Sequence, residues 1–459
     1  MADYTPSLTS NHMRKDILIL ITLALGFVMA TLDVTIVNVA VSTIQKTLYL
    51  GGTYTTWIID SYMVTFASLL LLGGTLAQRY GGKTIYMLGL SIFIISSLFC
   101  AMALNGSMLI IGRLFQGIGA ALFMPSSLSL LSLSFADDKK RAKMFGLWSA
   151  IVSIASGCGP FVGGLLVNEF GWRSVFIINI PIGIIGFIMA YIMISESEKI
   201  MIELYLRSHI LAVFSIALLS YVLIEGPTYG WLSTRMIGII CITLCLISAF
   251  IYKEMKSHHS IIPISLFKNR FFTGANVIGV CINLSLFGGI FMFGMFLQHA
   301  KGLTPLMAGV QLLPMMAVFV LGNILFSTFI NRWSVEWIMF VALVVASICT
   351  IILVITVGTN IGYWAISLLY ACANLAIGLV VPAMTSIVME TGKSAGHMAS
   401  ATLNVNRQIG SLIGVALIGA IIDYSNDWYE KASHSFLLMA IIYLISAGLA
   451  GMLLKKKTF

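Results

Sequence analysis

Two aspartates, Asp33 and Asp60, and one arginine, Arg113, stand inside long apolar stretches of a chain that is nearly all such stretches. A carboxylate in the hydrocarbon region costs roughly 2.5 to 3.5 kcal/mol on insertion scales, so its retention points to proton or substrate handling rather than to stability. Desolvation favours the neutral form of such a carboxyl group and a neighbouring arginine favours the charged form, so a conformational change that alters either effect loads or releases a proton. Counted from the outer ends of their segments at 1.5 Å rise per residue, all three groups lie roughly 9 to 12 Å deep and share one layer. Asp33 and Asp60 are therefore expected to form a proton-coupling pair, with Arg113 biasing their affinities. The competing reading for Asp60 is a wet carboxylate at the outer mouth, near Trp57 and Tyr62, that attracts cations without titrating.

The elements that position these groups follow from composition. The chain is 59% hydrophobic and 9% charged over 459 residues, with a mean hydropathy of +1.00. No soluble core needs that much apolar surface, so a lipid bilayer is the expected surroundings and the class is an all-α polytopic membrane protein. The formal charge of +9 resides in short loops between apolar runs, which argues against nucleic acid as a partner. Seven cysteines, all in apolar segments, show no metal-ligand spacing, and His258-His259 stands among lysines without acidic or thiol partners, so neither disulfides, a metal nor a cofactor is expected.

Apolar runs near twenty residues long predict about fourteen transmembrane helices: 16–41, 52–76, 84–105, 107–131, 143–167, 172–195, 208–226, 235–253, 272–297, 305–329, 335–358, 362–388, 404–423 and 434–454. With a cytoplasmic N-terminus, the outer loops hold only Lys46, Arg173, Arg235, Lys301 and Lys431, while the remaining loop cations fall on the inner side. That asymmetry supports an even number of spans and cytoplasmic N- and C-termini. Thr75-Leu-Ala-Gln78-Arg79-Tyr80-Gly81 also lines up with Thr328-Phe-Ile-Asn331-Arg332-Trp333-Ser334 in its polar-Arg-aromatic-small order. Two six-helix bundles plus two inserted helices are expected, with boundaries at 1–200, 201–260 and 261–459, and one substrate site between the bundles.

Several motifs in chain order carry a resemblance. They are Leu32-Asp33-Val-Thr35-Ile-Val-Asn38-Val-Ala40, Gly74-Thr-Leu-Ala-Gln78-Arg79-Tyr-Gly81-Gly-Lys83, Arg113-Leu-Phe-Gln116-Gly117-Ile-Gly119-Ala120, and Gly159-Pro160-Phe-Val-Gly163-Gly164 followed by Trp172-Arg173 and Asn179-Ile-Pro181. Together they resemble the signature set of the fourteen-helix drug:proton antiporters of the major facilitator superfamily, similar to bacterial quaternary-ammonium and multidrug exporters. The resemblance implies a role for Arg113 in proton transfer, a cytoplasmic latch at Gly74, Arg79 and Gly81, and an interface between bundles at Gly159, Pro160, Gly163 and Gly164. Read physically, Arg113, Gln116, Gly117 and Ala120 form one helix face that begins polar and becomes small. Alternatively, Arg113 ties helices through backbone carbonyls. Gly159 and Gly163 make a small-xxx-small face. Gln78 departs from the aspartate usual in the family, which removes any latch charge pair made there.

Trp57, Tyr62, Gln116, Met292, Met295, Phe296 and Gln298 are expected to line an adaptable substrate cavity, because methionine and aromatic walls tolerate varied ligands. The alternative for each is ordinary packing or lipid contact. Glu225 reads as interfacial, and Arg407 either faces the cavity or snorkels to the interface. The expected function is proton-coupled export of amphiphilic, cationic compounds by a monomer in a bacterial cytoplasmic membrane. A dedicated transporter of one metabolite is the alternative within that class. A membrane enzyme would need a nucleophile–base pair or metal cluster that the sequence does not present.

Overall fold

The computed structural model describes residues 6–454 except 51, 197–198, 200–205, 257–263, 304, 358–362 and 425–426. His258 and His259, and the side chains of Pro160 and Gln298, lie outside the described residues. The described helices are α1 Pro6–Thr47, α2 Gly52–Tyr80, α3 Gly82–Ala101, α4 Gly106–Ser134, α5 Asp138–Phe170, α6 Ser174–Ile177, α7 Asn179–Met193, α8 Leu206–Tyr229, α9 Thr234–Lys256, α10 Ile264–Phe267, α11 Arg270–His299, α12 Pro305–Phe329, α13 Val335–Thr356, α14 Tyr363–Thr391, α15 Gly396–Tyr424 and α16 Trp428–Leu454, with a 3₁₀ turn Lys393–Ala395 before α15.

The backbone must satisfy its own hydrogen bonds in hydrocarbon, which makes helices the solution for such apolar runs. Among the described residues, thirteen helical stretches are long and apolar enough to cross a bilayer, and a fourteenth, Asp138–Gly159 with Phe161–Phe170, is bent by 46° at Pro160. Large apolar side chains such as Leu88, Ile95, Ile188, Leu244, Ile348 and Leu444 are exposed around the bundle, where lipid would meet them. Local polar signals fix the ends. The side chain of Asn105 accepts from the Met108 amide at 2.8 Å and that of Asp137 from the Lys140 amide at 2.7 Å, capping α4 and α5. Gly81, at φ +98°, turns the chain from α2 into α3 through a conformation that residues with a Cβ rarely adopt. Where one helix is expected over 172–195, the chain forms α6 and α7, and the break at Ile178 sets Asn179 at the start of α7.

Packing repeats along the chain. In the first bundle α1 packs on α5, α2 and α3 on α4, and α1 and α3 on α7; in the second α11 packs on α15, α12 and α13 on α14, and α11 and α13 on α16. Glycines permit the closest of these approaches. A Cβ on Gly89 would stand 2.7 Å from the Gly119 carbonyl oxygen, and one on Gly119 would stand 2.8 Å from that of Gly89. α8 and α9 pack on each other, and α8 leans on α2 and α15. The bundles meet along two seams, α2 and α4 against α15, and α5 against α12 and α14.

Gly119→Val is expected to lower the thermal unfolding midpoint of protein purified in detergent, by an overpacking cost of about 1–3 kcal/mol. Gly238→Ala, at a position with open space around it, is expected to leave the midpoint unchanged or slightly raised.

Candidate functional site

Helices α1, α4 and α7 bring together the polar cluster that the fold cannot leave unpaired. Arg113 of α4 forms an ion pair with Asp33 of α1, and the two side chains are 1% and 0% exposed. The guanidinium also donates to the Gln116 amide oxygen at 2.8 Å and to the Ile58 carbonyl at 3.0 Å, and it lies 4.6 Å from the centre of the Tyr62 ring. Asn179 donates to Asp33 Oδ1 at 2.8 Å, and Gln116 donates to the same oxygen at 3.3 Å and to Ser97 at 2.8 Å. One negative and one positive charge thus cancel in a dry pocket, with amides engaging the remaining lone pairs. That is the condition under which a buried ion pair survives desolvation.

A separate cavity of about 590 Å³ lies between the bundles, lined from α1, α2, α5, α8, α11, α12 and α15. Its walls are mostly apolar, with Thr35, Ser156 and Ser411 as hydroxyls; among the described lining residues Asp60 is the one with a formal charge. On every contributing helix the lining residues fall in the half away from the Arg79, Lys139–Lys143 and Lys393 segments. Toward that basic end the seams are closed. A Cβ on Gly74 would stand 2.6 Å from the Ala401 methyl and 3.0 Å from the His397 carbonyl, Thr75 Oγ1 lies 3.3 Å from Met398 Sδ, and Asn323 donates to Ser153 at 3.0 Å. Asp138 joins the halves, pairing with Arg141 beside it and with Lys393 at 3.0 Å. A charge bridge across the bundles is therefore made from α5, while Gln78 supplies no carboxylate at the end of α2.

The two expected aspartates separate. Asp33 is enclosed with Arg113, whereas Asp60 faces the cavity, and the charge that acts on it is that of Glu225 on α8. The proposed Asp33–Asp60 pair is corrected accordingly: depth along the membrane normal aligned them, but their helix faces point to different compartments. Several expected cavity residues are also moved elsewhere. Gln116 belongs to the buried cluster, and Tyr62, 1% exposed, packs against Arg113, Phe66 and Phe93. Trp57 packs against Tyr221 with ring centres 6.0 Å apart. Met292 and Phe296 lie fully buried in the core of the second bundle, and Met295 is absent from the described cavity wall. The wall is formed one helix face away, by Phe287, Ile290 and Phe291 of α11. Met316, on α12, does line it.

The α5 glycines also differ from the expectation drawn from resemblance. Cβ atoms at Gly159 and Gly163 would strike Thr35 and Ile36 of α1, so this face closes on a helix of its own bundle; Gly157 is the α5 glycine that meets Met316 across the seam. Gly164 is half-buried, and Arg79 lies over the ring of Tyr80. Sequence reading missed Asn179 and Ser97 as members of the buried cluster. Asn179 had a signal in its Asn-Ile-Pro motif, but a serine within apolar α3 offered none.

Two helical bundles around a central cavity, closed at one end, define an all-α polytopic membrane protein. A match to the Major Facilitator Superfamily covers residues 23–415, and the chain belongs to that family of transporters. It is 47% identical over 449 residues to a methylenomycin A resistance protein of Bacillus subtilis, covering 98% of this chain and 96% of that one. It is 43% identical over 424 residues to a protein of the same description from Streptomyces coelicolor, covering 92% and 89%, and 29% identical over 410 residues to the multidrug resistance protein Stp of Mycobacterium tuberculosis, covering 89% and 76%. Among solved structures, the human organic anion transporter MFSD10 superposes with a TM-score of 0.67 at 14% identity, covering 95% of this chain and 99% of that one. The proton:xylose symporter XylE superposes at 0.63, again at 14% identity, covering 95% of each.

Arg113→Ala, which strands Asp33 in the apolar interior, is expected to destabilise the purified protein by about 3–5 kcal/mol. Asp33→Asn combined with Arg113→Gln is expected to recover much of that loss. A double-mutant cycle on thermal unfolding measures the coupling between the two positions.

Proposed function

We propose that this chain is a proton-driven exporter that carries amphiphilic compounds out of a bacterial cell by alternating access. The observation that carries the reading is the apolar cavity with Asp60 in its wall, open in one half of the membrane while the seams are shut toward the other. The positive-inside rule makes the shut, basic end cytoplasmic, together with both chain termini. The state described then faces outward, and opening the α2–α15 and α5–α12 seams would face the cavity inward. Residues 1–200 and 261–459 would rock as units, 201–260 would travel with the first of them, and a monomer suffices because the cavity is complete within one chain.

In this mechanism Asp60 takes the proton, because a carboxyl group in an apolar cavity wall resists ionisation. A cationic cargo replaces the proton electrostatically, and proton return from outside releases the cargo. Each charge moved across 100 mV supplies about 2.3 kcal/mol. The Asp33–Arg113 pair, joined to α3 and α7 through Gln116, Ser97 and Asn179, is where a change of helix packing would alter proton affinity. The resistance descriptions of the relatives support an exporter. A second reading, a carrier dedicated to one compound, is favoured by the names of the two methylenomycin A resistance proteins, 47% and 43% identical, each given for resistance to a single compound.

Everted membrane vesicles energised with an imposed pH gradient test both readings. Ethidium is expected to accumulate inside them against its gradient and to leak back when a protonophore collapses the pH difference. Asp60→Asn and Asp33→Asn should each lower uphill accumulation at least about tenfold, as expected for loss of a general acid–base group. Undiminished uphill transport in both variants would remove the proposed coupling sites. Transport of one compound out of a broad panel would select the dedicated carrier.

A further inference from the structure

The shut basic end holds a second cavity. It has a volume of about 300 Å³ and lies between the end of α4, the start of α5 and the turn that leads into α15, with Ser129, Ser132, Phe135, Arg141, Lys393 and Gly396 in its wall. That size stands at the lower limit of small-molecule sites, roughly 300 to 1,000 Å³. It shares no described lining residue with the central cavity.

Two side chains distinguish this cavity from a packing gap. Arg141 carries a charge into the wall while only 4% exposed, and Ser129, 1% exposed, has a buried Oγ with no hydrogen-bond partner among the described residues. A helical serine ordinarily returns its hydroxyl to the carbonyl one turn back, as Ser126 and Ser134 of the same helix do at 2.8 and 2.7 Å. Ser129 does not. Its Oγ lies instead toward Gly396 of the facing wall, 3.1 Å from where a Cβ on that residue would stand. A buried hydroxyl left unmatched is costly, and its donor is available to a ligand.

The surrounding charge is positive. Arg141 and Lys393 both pair with Asp138, the lysine at 3.0 Å, and Arg141 also donates to the Phe135 carbonyl at 3.3 Å. Asp138 is exposed and is not part of the described wall, so two cations against one acid leave a net positive charge at the cavity. Gly396 begins α15 and brings the positive end of a 29-residue helix to the same wall. We infer that this cavity binds a phosphate group, carried by a soluble phosphate monoester or by the headgroup of an anionic phospholipid. A guanidinium, an ammonium and two serine hydroxyls approach from different helices, which suits the three acceptor oxygens of a tetrahedral phosphate better than the two coplanar oxygens of a carboxylate. Because α4 and α5 belong to the first bundle and Lys393 and Gly396 to the second, the site is complete only while the basic end is shut, and a bound phosphate favours that state. Its cytoplasmic location rests on the orientation proposed above; the binding itself does not.

Isothermal titration calorimetry on the purified full-length protein at constant ionic strength tests the assignment with two probes, glycerol phosphate and dihexanoyl phosphatidate. Saturable binding of glycerol phosphate assigns a soluble phosphate monoester, binding of the phosphatidate alone assigns the lipid headgroup, and binding of neither overturns the inference. Lys393→Gln should weaken the bound probe about tenfold or more, as for a lost charged hydrogen bond, and Ser129→Ala, which changes no charge, about two- to tenfold. Lys139→Gln, an equal charge change at an exposed residue outside the described wall, should leave affinity within about twofold. Undiminished binding in either wall variant, or a loss in Lys139→Gln equal to that in Lys393→Gln, would mark attraction to the basic surface at large and overturn the site. Should Lys393→Gln fail to fold, Ser129→Ala decides alone. The exporter reading is judged separately, by gradient-driven ethidium transport in wild-type vesicles.

Discussion

Charge in hydrocarbon must be answered by charge, and the first bundle is arranged around that requirement. Asp33 and Arg113 belong to helices eighty residues apart in sequence, and the pair closes only when α1 and α4 are held at the right height and rotation. Gln116, Asn179 and Ser97 extend the same obligation to α3 and α7. With the Arg113 bond to the Ile58 carbonyl of α2, five helices are therefore locked by one neutral cluster. The remainder of the bundle can pack with the non-directional forces available in lipid, through close approaches at Gly89 and Gly119.

The seams between bundles are built differently. They hold serine, threonine, asparagine and methionine contacts, together with one exposed bridge from Asp138 to Lys393. Such contacts are individually weak, and an exposed ion pair contributes about 0–1 kcal/mol. Strong locking within the first bundle and weak locking between bundles is the distribution of forces that rigid-body rocking requires. Gln78 supplies no acid at the end of α2, and the ion pair that joins the halves comes instead from α5.

Much of this was legible in the sequence. Helix number, bundle repeat and the identity of Asp33, Asp60 and Arg113 follow from where charge interrupts apolar runs, because that pattern reports directly on lipid exposure. Depth was legible too, since rise per residue converts position into height. Rotation was not. Asp33 and Asp60 share a layer yet face a sealed cluster and an open cavity, and only the packing of α1 against α5 and of α2 against α4 fixes those directions. The same gap misplaced Met292 and Phe296: a methionine-rich helix face looks alike whether it meets a ligand or the interior of its own bundle. Gly159 and Gly163 announced a close helix contact without naming α1 as the partner.

The inserted pair carries a mechanical implication. α8 touches α2 of one bundle and α15 of the other, while α9 is attached chiefly through α8 and presents most of its surface outward. A helix that spans a moving joint acts as a strap: it limits how wide that joint gapes and leaves the α5–α12 side to swing further. Access from the two flanks is then unequal, and molecules leaving the bilayer sideways would find the flank away from α8 the wider door.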